Sequence, residues 1–344
     1  MNRTQQYSGL TMRVWDFAAL VLHTRFARAL DEGAARYPIF RELRFAARIE
    51  LEVLLDALAL DPAWRAERIN AEFLILDGDG VFVAAYGRRK LDYASCAFYV
   101  WAADVARAAQ AKERILAQAG STRITEPMFS VHWYFGSGHG LESVTLEEIA
   151  DDVLHERAYP EIKGGVREFI ARYLDAPESV LVLQGPPGTG KTRLIRAILG
   201  EITRRKGEPA QAIYTGDANV LHADEVFVRF ITGQDDAFVV EDADHSLKPR
   251  ADGNEHLHRF LTVADGVVRS QGRKIIFSTN LPNVGDLDDA LLRPGRCFAR
   301  LHVRTLTGAE AQALAQDMGA QGFAAEENRR HSLAEVYRSL TADR

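Results

Sequence analysis

Apolar spacing in the first part of the chain mixes the two periods of regular structure. Helical spacing runs through Val14–Asp31 and again through Phe40–Leu60, where Leu43, Ala46, Leu54 and Leu58 recur. Two short runs of strand character, Glu72–Leu76 and Val81–Tyr86, flank Asp77-Gly78-Asp79-Gly80, and this turn sequence predicts a β-hairpin. A strand over Ser95–Trp101, a helix over Ala103–Gln118 and a strand over Met128–Phe135 follow. In the last of these Phe129, Val131, Trp133 and Phe135 alternate with Ser130, His132 and Tyr134, so one face is expected to be buried. His132 therefore reads as a sheet residue rather than a ligand. The glycine-rich Gly136–Gly140 marks a flexible loop or a domain boundary, which predicts an α+β domain over residues 1–145.

From about Leu146 the pattern becomes regular. Apolar runs at Ser179–Gln184, Gln211–Thr215, Ala237–Asp242, Lys274–Thr279 and Ala299–Val303 alternate with helical stretches. Runs as continuous as Val180-Leu181-Val182-Leu183 are expected of parallel strands covered on both faces. Residues 146–304 are thus predicted to form an α/β domain with a doubly wound, five-stranded parallel sheet, its ligands at the carboxyl ends of the strands. Two short helical patterns in residues 305–344 predict a small helical lid.

Composition narrows the class. Hydrophobic residues make up 47% and charged residues 26% of the 344, as in folded globular domains. A net charge of -6 argues against a protein that coats nucleic acid, which needs an excess of Lys and Arg. Cys96 and Cys297 are too few for a disulfide framework, so a reducing cytoplasm is the expectation. The longest apolar stretch, Val14–Leu30, is broken by Asp16, His23, Arg25 and Arg28 and predicts no membrane span. Asp77–Gly80 could also open a calcium loop, but the twelfth position holds Arg88 where that loop needs Glu. His256 and His258 are two apart, so a helix would turn them to different sides, against a shared metal.

The chemistry-bearing motif follows the first apolar strand of the regular half. Gly185-Pro186-Pro187-Gly188-Thr189-Gly190-Lys191-Thr192 fulfils GxxxxGK[ST] between a strand and a helix. Its glycines let backbone N–H groups turn toward phosphates, Lys191 reaches the β and γ phosphates, and the Thr192 hydroxyl binds Mg2+. Such a loop needs acids on the far side of the phosphates, and Glu241, Asp242 and Asp244 end the run Ala237-Phe238-Val239-Val240, on a strand that could lie beside the phosphate-loop strand. Glu241 is assigned to magnesium through water and Asp242 to activating the hydrolytic water. Asn280, after Ile275-Ile276-Phe277-Ser278-Thr279, is suited to sensing the γ-phosphate. Arg293 and Arg296 offer guanidinium forks that can stabilise charge on a transferred phosphoryl group. The basic residues Arg193, Arg196, Arg204, Arg205 and Lys206 read as a solvated helix face and C-terminus.

In order and spacing GPPGTGKT, the acidic strand end, the amide after IIFST and DDALLRPGR resemble the AAA ATPases, over about Glu147–Val303. VVEDAD, LTVADGVVRSQGRKIIFSTN and ALLRPGR look most like the AAA group that translocates the folded Rieske iron–sulfur protein, although the membrane helix of that group is not matched. The resemblance implies Mg·ATP hydrolysis by a homo-oligomeric ring, hexameric or heptameric, with Arg293 and Arg296 entering the neighbour's site. Thr215–His222 lacks the aromatic–hydrophobic–glycine signature of threading members. The function expected is remodelling of an unidentified protein partner recruited by residues 1–145. The alternative is an ATP-switched assembly or nucleic-acid-associated module doing little mechanical work.

Overall fold

The computed structural model describes residues 24–25, 27–28, 36–90, 92–137, 140–150, 154–248, 259–260, 272–283, 287–320 and 322–342. Two compact units emerge, Met1–Thr125 and Glu126–Arg344. The helix expected over Val14–Asp31 falls mostly outside the described residues, as do His256 and His258.

In the first unit, strands β1 (Ile39–Ala47), β2 (Arg65–Arg68), β3 (Phe73–Gly78), β4 (Val81–Arg89) and β5 (Ala94–Ala102) form an antiparallel sheet ordered β1-β5-β4-β3-β2. The predicted hairpin is β3–β4, with register running to Gly78↔Val81 and Gly80 in the left-handed region at φ 68°. Helices α1 (Leu51–Leu60) and α2 (Val105–Ala119) cover one face. Leu51, Leu54, Leu55 and Leu58 of α1 are buried there, each worth about 2 kcal/mol of transfer free energy. The single helix expected over Phe40–Leu60 is instead β1 followed by α1. Within β1 it is Leu43, Phe45 and Ala47 that join the core, a period of two, and nine residues pair with β5.

The second unit holds a seven-stranded sheet ordered β12-β8-β11-β10-β9-β6-β7. Its strands are β6 (Met128–Ser137), β7 (Gly140–Ile149), β8 (Val180–Gln184), β9 (Ala210–Thr215), β10 (Ala237–Val240), β11 (Lys274–Thr279) and β12 (Cys297–His302). The five strands expected from the apolar runs are adjacent and parallel, which makes the region α/β as predicted. The boundary expected at residue 145 is corrected, because β6 pairs in parallel with β9 and β7 pairs back on β6. Gly136, Ser137 and Gly140 are consequently paired residues of a hairpin, and the sheet gains two strands. A second correction concerns the strand bearing the acids, since β11 lies between β10 and β8.

Helices α3 (Val166–Asp175), α4 (Lys191–Lys206) and α5 (Asp224–Thr232) flank the sheet. The C-terminal region contributes α6 (Gly308–Asp317) and α7 (Leu333–Ala342). Leu314, Leu333 and Val336 from these helices share one core with Leu183, Leu194 and Ile198, so the lid is seated on α4. No helix among the described residues is long and apolar enough to cross a membrane.

Candidate functional site

The loop between β8 and α4 is shaped by two glycines that no other residue could replace without moving backbone or core. A Cβ on Gly185 would lie 1.9 Å from the Val303 carbonyl oxygen. Gly190 has φ 98°, and a Cβ there would meet Leu333 Cδ2 at 2.5 Å and the Tyr159 hydroxyl at 2.9 Å. Tyr159 also donates to the Gly190 carbonyl at 2.9 Å. The Thr189 hydroxyl closes the loop on Pro186 O at 2.9 Å.

Lys191 begins α4 and is buried beneath this loop. Its ammonium donates to Gly185 O at 2.6 Å, Pro186 O at 3.0 Å and Asn280 Oδ1 at 2.9 Å. Burial lowers its pKa, and the negative charges of Asp242, Glu241 and Asp244 oppose that shift. Thr192, one residue on, donates its hydroxyl to Glu241 Oε1.

The acids and the amide arrive from neighbouring strands. Glu241 follows β10 and its amide donates to Thr215 O at 3.0 Å, which continues the β9–β10 ladder. Asp242 follows with φ 48°, the one positive value at a non-glycine among the described residues. Asn280 caps β11 and donates from Nδ2 to Asp242 Oδ1 at 3.0 Å. Asp244 accepts from the Thr279 hydroxyl at 2.6 Å and from the Asn280 amide at 2.8 Å, so it fixes the strand end that carries Asn280. Lys191, Thr192, Glu241, Asp242 and Asn280 thus meet across a cleft of about 510 Å³ that Pro187, Gly188 and Gly190 also line. That volume suits a nucleotide.

Arg293 and Arg296 do not line this cleft. Arg293 is exposed, and its carbonyl accepts the Arg296 and Cys297 amides at 3.2 Å each. Arg296 is half-buried, with its guanidinium on Ala290 O and its carbonyl accepting the Val180 amide at 3.1 Å.

Several cleft residues escaped the sequence reading. Arg193 and Arg196, expected on a solvated helix face, line the cleft, whereas Arg204 pairs with Glu201 at 3.1 Å and Lys206 with Asp236 at 2.8 Å. The Arg193 guanidinium lies 3.9 Å from the centre of the Tyr337 ring on α7. Leu333 and Ala334 complete that wall, and the Ala334 amide donates to Gly188 O at 2.9 Å. Arg329 is committed to Glu335 at 2.8 Å and Arg330 to Thr305 O at 3.1 Å, and neither lines the cleft.

The donors present fit a nucleotide with its cation. Hydroxyl and carboxylate oxygens of Thr192, Glu241 and Asp242 are the hard ligands that magnesium takes. The glycine loop with the Lys191 ammonium beneath it fits phosphate.

Residues 181–305 match the ATPase family associated with various cellular activities (AAA). This stretch is similar to an AAA ATPase domain. The chain is also similar to curated proteins. An ATP-dependent zinc metalloprotease YME1 homolog of Caenorhabditis elegans is 29% identical over 213 residues, which covers 55% of this chain and 27% of that protein. An AAA-ATPase of Arabidopsis thaliana is 33% identical over 183 residues, with 46% of this chain and 39% of the relative covered. An "AAA ATPase forming ring-shaped complexes" of Bifidobacterium animalis subsp. lactis is 28% identical over 208 residues, with 48% and 39% covered. The chain therefore spans less than two fifths of the length of these relatives.

Proposed function

We propose that this chain hydrolyses ATP as one subunit of a ring of its own copies and uses the cycle to remodel a protein partner. The observation that carries the reading is the convergence of Lys191, Thr192, Glu241, Asp242 and Asn280 on one cleft under a glycine cradle. Lys191 exchanges its loop carbonyls for the β and γ phosphates. Thr192 and Glu241 would hold the magnesium ion, which when bound offsets phosphate charge and orients the γ-phosphoryl group. Asp242 accepts the proton of the attacking water. Asn280, bonded to both Lys191 and Asp242, senses whether a γ-phosphate lies between them.

Arg293 and Arg296 lie outside their own cleft, which supports a role in a neighbour's site through head-to-tail contacts that close into a ring. The ring named for the Bifidobacterium relative supports the same assembly. We assign partner recognition to the N-terminal unit, where Phe73, Tyr86, Tyr99 and Trp101 form a row on one sheet face and Phe40 beside them is 44% exposed. The likeness to the Rieske-protein translocase group is proposed for the ATPase core alone, in a cytoplasmic setting that suits the free thiols of Cys96 and Cys297.

The test is the mass of Asp242→Asn protein by light scattering with and without ATP. A hexameric or heptameric species formed only with ATP, and lost on adding Arg293→Ala and Arg296→Ala, is expected. A monomer under every condition would remove the basis for arginines acting between subunits.

A further inference from the structure

The carboxylate of Glu241 is held by a hydroxyl on each oxygen. Thr192 donates to Oε1, and the Tyr214 phenol donates to Oε2 at 2.7 Å. Tyr214 lies on β9, paired in register with Val239 of β10 and with Trp133 of β6. Strand alternation returns Glu241 to the face of Val239, so Trp133, Tyr214 and Glu241 form a row across three adjacent strands on the α4 side of the sheet. The row is physically continuous, since the Trp133 ring stands edge-on to Tyr214, with centroids 6.0 Å apart and planes at 86°. The Phe135 ring also stands edge-on to Trp133, with centroids 6.2 Å apart. Trp133 and Phe135 belong to the β6–β7 hairpin, which lies outside the residues matched to the AAA family.

We propose that Tyr214 is a positioning residue for this ATPase: its hydroxyl fixes the carboxylate plane of Glu241 for magnesium, and Trp133 seats the Tyr214 ring. A carboxylate with one oxygen unheld rotates about its terminal torsion, which is broad and nearly unhindered. With both oxygens held, Glu241 would present its carboxylate to the ion in one orientation and lose little rotational freedom on binding it. Groups that orient a metal's ligands in this way commonly govern metal affinity without touching the ion. The hairpin that extends the sheet thereby acquires a route to the cleft, running from the exposed Trp133 through Tyr214 to Glu241. This inference rests on the ATPase reading above.

The test compares wild type with Tyr214→Phe, which keeps the ring against Trp133 and loses only the hydroxyl. Affinity for N-methylanthraniloyl-ADP is titrated without metal and against free Mg2+, and ATP turnover is measured at saturating Mg2+. Metal-free affinity and the KM for ATP are expected to be unchanged, while half-saturating Mg2+ rises about tenfold and kcat falls about tenfold. Trp133→Ala is expected to reproduce part of the Mg2+ shift by unseating the ring. A Tyr214→Phe protein with the wild-type Mg2+ response and kcat overturns the role of Tyr214 and leaves the ATPase reading standing. A wild-type protein with no response to Mg2+ overturns both.

Discussion

Asp242 has φ 48°, a region that costs most L-residues about 1 kcal/mol but that Asp and Asn enter more readily. Its Oδ1 accepts from Asn280, and its amide faces the Ser278 hydroxyl at 3.3 Å, so the turn is tied to β11. Asparagine is therefore the substitution that removes the proposed base and keeps the backbone. Asp242→Asn should bind ATP within about twofold of wild type and lose at least about 100-fold in turnover, the low end for a general base. Paired binding and single-turnover measurements check this, and equal loss of binding would reassign Asp242 to nucleotide binding. The phosphate loop was legible because its chemistry lies in eight contiguous residues. Tyr159, Tyr214 and Tyr337 were not, because their contacts with Gly190, Glu241 and Arg193 join distant parts of the chain and leave no local pattern.

Helix α6 starts with a reciprocal cap. Thr307 Oγ1 accepts the Glu310 amide at 3.3 Å, and Glu310 Oε2 accepts the Thr307 amide at 2.8 Å. Arg304 adds a two-pronged contact to Glu310 at 2.8 and 2.7 Å, and the guanidinium, ahead of the cap, holds the Glu310 pKa down from 4.5 to about 2. A depressed carboxylate pKa stabilises the fold above its ordinary value, and the contribution fades as pH falls from 4.5 toward about 2. Thermal unfolding should show Glu310→Gln less stable than wild type near neutrality, with the gap closing across that acid window. A constant gap would mean that packing, not charge, supplies the effect. Elements proved readable where one period runs unbroken, as in α4 and the five parallel strands. Phe40–Leu60 was misread because two buried sets, Leu43-Phe45-Ala47 and Leu51-Leu54-Leu55-Leu58, overlap in spacing across the bend at Arg48–Ile49.

At the scale of the molecule, the alternation in Met128–Phe135 announced a strand but misplaced its burial, since Phe129 and Tyr134 are buried in different cores while Trp133 is exposed, and it could not say which sheet would take the strand. That answer depends on β9, about 80 residues later, whose edge accepts β6. The expected boundary near residue 145 failed for this reason, and the acid-bearing strand expected beside the phosphate-loop strand is separated from it by β11. The lid illustrates the same long reach. The Ala334 amide, at the head of α7, gives its proton to Gly188 in the middle of the phosphate loop. That proton can exchange with solvent only when α7 lifts from the loop, so its deuterium uptake is a clock for lid opening. ATP binding should slow the clock for Ala334 relative to amides of the N-terminal sheet, and exchange followed by mass spectrometry would read it without any knowledge of the partner.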